Sequence, residues 1–138
     1  MDTLCIVGRY ADWGDLDLEG TADDLRALAL IIETSTTPTV LDLAVPAEAA
    51  APYAGFLRTL RVTGMEQQVR IWRDGEILFI AGACSTRKFL AGDIRSVAET
   101  TDTNSGVQPH THIEPIEWPG LYDWLSPSSE PLVVSLRL

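Results

Sequence analysis

Polar and apolar residues alternate one by one along DLDLEG, with Leu16 and Leu18 on one side and Asp15, Asp17 and Glu19 on the other. That is the period of a half-buried strand. The apolar stretch LCIVGRY just before it supplies a strand to pair with it. At Thr21 the period changes to that of a helix running to about Glu33, and Asp24, three residues on, makes a partial capping box. PTVLDLAV and GFLRTLRV then read as two further strands.

The second half follows the same order. VRIWRDGEILFI predicts a hairpin. Its Asp74-Gly75 dipeptide suits a tight primed turn because Gly accepts positive φ, and its flanks, Val69 to Arg73 and Glu76 to Ile80, are rich in strand formers. In STRKFLAGDIRSVAET, Ser85 is a candidate N-cap, and Leu90, Ile94, Val97 and Ala98 recur at helical spacing. The polar loop TTDTNSG leads to a strand in HTHIEPI, an aromatic loop and a closing strand, PLVVSLRL.

One hairpin–helix–strand–strand unit therefore occurs twice, over about 3–63 and 69–138, with helices near Ala22–Glu33 and Thr86–Glu99. The closing segments overlay Thr59-Leu60-Arg61-Val62 on Ser135-Leu136-Arg137-Leu138. Each unit has one helix and too little core of its own. The expectation is one α+β domain over residues 1–138, the units sharing a mostly antiparallel sheet with both helices on one side.

Composition narrows the function. No run approaches the ~20 apolar residues of a membrane span, and Asp2 stands where a signal peptide carries Lys or Arg, so a cytoplasmic location without membrane contact is expected. Cys5 and Cys84 do not form a disulfide framework and are expected to be reduced thiols. The net charge is −10, and between Arg95 and Arg137 there is no Lys or Arg, while Glu99, Asp102, Glu114, Glu117, Asp123 and Glu130 occur there. A second cluster carries Asp12, Asp15, Asp17, Glu19, Asp23 and Asp24. Phosphate contacts need Lys and Arg, so this balance argues against nucleic acid and for a basic protein partner.

Candidate chemistry is sparse. DLDLEG imitates the opening of a calcium loop, but its twelfth position is Arg26 where a bidentate Glu is required, so the strand reading stands. In HTHIEP, His110, His112 and Glu114 project from one face of a strand. His-x-His is a metal-ligand spacing, yet a further ligand would have to come from elsewhere in the chain, and a metal-free polar strand face is expected. Cys84 stands at a strand-to-helix junction, where a helix N-terminus can activate a thiol if His110 or His112 serves as its base, but a small, inert, partly buried Cys is expected. No phosphate loop, Ser elbow or paired-Cys zinc motif occurs, so neither enzymatic activity nor a cofactor is expected. The stretch EPIEWPGLYDWLSPSSEP interleaves Trp118, Tyr122 and Trp124 with Glu117 and Asp123 among four prolines. These residues and Glu114 form a candidate partner-binding surface, with Asp15 and Asp17 as further candidates.

The segments WGDLDLEGTADDLRALA, PYAGFLRTLRV and HTHIEP…WLSPSSEPLVVSLRL together resemble the immunity protein 32 family of bacterial polymorphic-toxin systems. The resemblance covers most of the chain and matches His110 and His112 to the family's His-x-His without attaching a role to them. It implies a cytoplasmic protein, monomer or homodimer, that binds a co-encoded, basic toxin and neutralises it by occluding its active surface. The competing readings are a small metal-binding protein or enzyme using His110, His112 and Glu114, and a structural domain that homodimerises through an edge strand.

Overall fold

The computed structural model describes residues 4–12, 14–48, 53–64, 66–100, 108–115 and 123–137. The alternating N-terminal segment folds into β1 (Val7–Tyr10) and β2 (Leu16–Gly20), antiparallel, with Arg9 opposite Asp17. Thr21 then caps α1 (Ala22–Thr34): its Oγ accepts the Asp24 N–H at 3.3 Å and donates to Asp24 Oδ2 at 2.8 Å, closing the box with Asp in place of Glu. The chain continues through β3 (Thr39–Asp42), β4 (Gly55–Leu57), β5 (Thr59–Thr63), β6 (Arg70–Asp74) and β7 (Ile77–Ala81). α2 (Cys84–Ala98), β8 (His110–Ile113) and β9 (Leu132–Leu136) follow, making an α+β protein.

The strands form two sheets rather than the single shared one expected, ordered β4-β1-β2-β9-β8 and β3-β5-β7-β6. Each closing strand pairs in parallel with the second hairpin strand of the other half: β9 joins β2, and β5 joins β7. Local patterns identify strands but not their distant partners, so the crossing was invisible in the sequence. The parallel ladders open on Leu16–Leu132 and on Thr59–Ile77.

GFLRTLRV is likewise two strands, not one. β4 adds to the edge of β1, and β5 enters the other sheet. Leu57 and Leu60 are both buried although three residues apart, so the inward-facing phase flips at exposed Arg58 and a single strand cannot serve both. In the second hairpin Asp74 pairs with Ile77, leaving Gly75-Glu76 as the two-residue loop. Gly75 takes φ +62° and Glu76 stays at negative φ, the pattern of a turn with Gly at its first central position. α2 begins two residues earlier than expected. Its N-cap is Ala83 without a side-chain cap bond, and Ser85 lies inside the helix.

α1 and α2 pack on each other and against the first sheet, α1 touching β2 and α2 touching β8 and β9. One cluster of buried side chains joins both helices to both sheets, from Leu18, Leu28 and Leu132 to Leu60, Ile71 and Leu78. Arg87, on the buried stripe of α2, is only 1% exposed. Its Nε donates to the Gly82 carbonyl (2.8 Å), Nη1 to that of Ile32 (2.7 Å), and Nη2 to the Ser35 carbonyl (2.6 Å) and Cys84 Sγ (2.9 Å). α1 has no basic residue in its own last turn, so Arg87 supplies from α2 the positive charge that a helix C-terminus favours.

Candidate functional site

In the first sheet Leu16, Leu18, Leu132 and Val134 point into the core, so Asp17, Glu19, Val133 and Ser135 face outward. On β8 Ile113 is buried and the exposed His110 and His112 share that outer face. Register aligns the side chains across strands: Arg9, Asp17, Val133 and His112 in one row, and Glu19, Ser135 and His110 in the next. These two rows floor a concavity of about 520 Å³, and Tyr53 and Gln108 complete its lining.

The concavity is polar, and its charges are unevenly satisfied. Glu19 Oε1 takes Arg137 Nε at 3.4 Å and its Oε2 takes Gln108 Nε2 at 3.1 Å. Asp17, only 7% exposed, receives a single 3.3 Å contact among the described residues, from Arg9 Nη1 on Oδ2. Burial pushes its carboxyl above the usual range; the Arg9 guanidinium opposes that push, and Glu19 adds to it. Burial also pushes the Tyr53 hydroxyl up, as does the nearby Asp17 carboxylate, which places Tyr53 within the field of these groups. The His110 and His112 rings meet edge to face, 5.0 Å between centroids. His110 Nδ1–H donates to the Gln108 carbonyl at 2.9 Å, which leaves Nε2 of the neutral ring as an acceptor.

The expected partner-binding residues divide between two places. Leu16, Leu132 and Ile113 are in register, so Asp15, one residue before, and Glu114, one residue after, leave the same end of the sheet close to Asp17. Asp123 and Trp124 lie elsewhere, along the edge of β6. The Val69 N–H donates to the Trp124 carbonyl (2.7 Å), Gln68 Nε2 donates to that of Asp123 (2.9 Å), and the half-buried Trp124 ring stacks on Phe89 of α2 at 6.2 Å. Glu117, Trp118 and Tyr122 lie outside the described residues. Among the described residues, no three His, Cys, Asp or Glu side chains gather to hold a metal. Cys84 Sγ has Arg87 and the Ser35 carbonyl beside it, neither of which can act as its general base.

Arg9, Tyr53, Gln108 and Ser135 were not foreseen as site residues. Alternation from Gly8, which pairs with Leu18, and from Val134 could have put Arg9 and Ser135 on the outer face, but Tyr53 and Gln108 belong to irregular segments with no periodic signal. No protein-family model matches the chain, and neither a curated protein nor a solved structure does.

Proposed function

We propose that the protein is a binding module that neutralises a basic protein partner, in the manner its resemblance to toxin-immunity proteins implies. The observation that supports this is the disposition of charge. All ten basic residues are committed within the fold. Arg9, Arg26, Arg58, Arg70, Arg95 and Arg137 form ion pairs, Arg61, Arg73 and Lys88 lie over aromatic rings, and Arg87 is buried. Among the described residues, no cation lies at ion-pair distance from the exposed Asp12, Asp42, Asp74, Glu99, Glu114 or Asp123. The net charge of −10 is therefore presented to the surroundings as an acidic field that attracts a cationic protein. The outer face of the first sheet, where Asp15 and Asp17 at β2 and Glu114 at the end of β8 lie at the same end of the sheet, is the contact surface that best fits the reading.

The test uses the protein encoded beside this chain. Co-expression is expected to relieve that neighbour's toxicity, and surface plasmon resonance should show association that slows as salt is raised. Asp15→Lys with Glu114→Lys should slow association more than it speeds dissociation. A neighbour that is neither bound nor neutralised, or an association rate indifferent to salt, overturns the proposal.

A further inference from the structure

We propose that the concavity on the outer face of the first sheet is a socket for one arginine side chain of the basic partner, with Asp17 as its principal acceptor. The inference rests on the partner-binding reading and gives it a chemistry. Asp17 sits on the outward face of a sheet, where carboxylates ordinarily keep their water, yet it is only 7% exposed. A carboxylate largely taken out of water gains from every hydrogen bond it can accept, and the Arg9 ion pair gives Asp17 one long contact among the described residues. Its Oδ2 takes one long contact from Arg9, and its Oδ1 accepts no hydrogen bond from any described residue. Arg9 is itself shared, its guanidinium lying 5.8 Å from the Phe56 ring centre. Arg137, outside the lining, is turned to Glu19.

The other groups around the concavity are mostly acceptors or can act as acceptors: Glu19, the hydroxyls of Tyr53 and Ser135, and His110 Nε2, whose ring partner nitrogen is tied to the Gln108 carbonyl. Of the donors in the lining, Gln108 Nε2 is spent on Glu19 and the Leu136 carbonyl and Arg9 is turned to Asp17 and the Phe56 ring, so the acceptors left over suit a ligand that is all donor. A guanidinium offers five N–H groups in a plane and a positive charge that adds to the single long Arg9 contact, and it stacks on an aromatic ring such as that of Tyr53. An ammonium supplies three donors from a point and spans fewer of these acceptors. A carboxylate or phosphate would face Asp17 and Glu19 directly.

The experiment titrates the full chain with N-acetyl-arginine amide and, separately, with N-acetyl-citrulline amide, its neutral counterpart of the same shape, followed by NMR at Tyr53, His110 and His112. The arginine derivative is expected to give saturable shifts at those residues and to bind at least tenfold more tightly than the citrulline derivative. Asp17→Asn should weaken the arginine derivative at least tenfold, and Val133→Arg, which fills the socket from within, should abolish its binding. A thermal melt of each variant shows whether it is folded, and if Asp17→Asn is not, Val133→Arg decides. Equal binding of the two derivatives, or undiminished arginine binding in a folded variant, overturns the socket. A neighbour-encoded partner that binds Asp17→Asn as it binds wild type also removes the socket and leaves the partner reading standing. Arginine binding at the socket with no protein partner bound does the reverse.

Discussion

Replacing Arg87 by Met keeps the length and much of the packing of the side chain while deleting the guanidinium that ends α1. Of its four acceptors, the Ser35 carbonyl and Cys84 Sγ are near enough to the surface for water to take over. The carbonyls of Ile32 and Gly82 belong to buried residues and are left without this donor. A buried polar group stripped of its partner costs about 1–3 kcal/mol, and the lost charge at the helix C-terminus adds about 0.3–1 kcal/mol. With two such carbonyls, the expected destabilisation is therefore about 2–7 kcal/mol. With an unfolding entropy of about 2.1 cal/mol/K per residue over 138 residues, this lowers the midpoint by roughly 7–24 °C. Arg87→Lys, which keeps the charge but cannot fork between the carbonyls, should fall between the two. Urea denaturation followed by far-UV circular dichroism, with calorimetry for the midpoint, measures both variants. An Arg87→Met protein within about 1 kcal/mol of wild type would show that water reaches these carbonyls and that the buried guanidinium is dispensable.

Three further outcomes are expected. Because the folded-state pKa of Asp17 lies above the unfolded value near 3.8, its ionisation destabilises the fold, and the penalty grows as pH rises from about 4 through the raised pKa. Asp17→Asn should equal or exceed wild type in urea midpoint at about pH 7 and lose its advantage near pH 4; a wild type clearly more stable at neutral pH would contradict this. Thr21→Ala removes both halves of the α1 cap and should cost about 1 kcal/mol by chemical denaturation, with no loss at all counting against the cap. Trp124→Ala, which breaks the stack on Phe89, should lower stability by about 2 kcal/mol, less than a fully buried aromatic would; an unchanged melt would make Trp124 a surface group after all.

The sequence was most legible where one residue's neighbours along the chain also decide its environment. The alternation at Leu16 and Leu18 and the Thr21–Asp24 box predicted β2 and α1 to within a residue or two. The stripe through Leu90, Ile94 and Val97 predicted α2, and Arg87 lies on the same stripe three residues before Leu90, so its burial could have been read there. The one-strand reading of GFLRTLRV failed because the odd spacing of Leu57 and Leu60, which marks the break, was passed over. The crossing of the sheets and the covering of Asp17 depend on residues far away in the chain. Asp17 alternates like any outward carboxylate, and Tyr53, which lines the same concavity, carries no period that would place it there.

The crossed pairing has a consequence for how the chain can come apart. Each sheet takes its hairpin from one half of the sequence and its closing strands from the other, so neither half holds a complete sheet. A nick between Thr63 and Gln67 would not release two lobes able to stand alone. It would yield two fragments, each exposing the inner edge of a hairpin and of a closing strand, whose recovery requires both parallel ladders to re-form together. Such long-range pairing slows folding and couples the two sheets into one cooperative transition. The intact protein should resist trimming at this linker, and the separated fragments should regain protease resistance only when mixed.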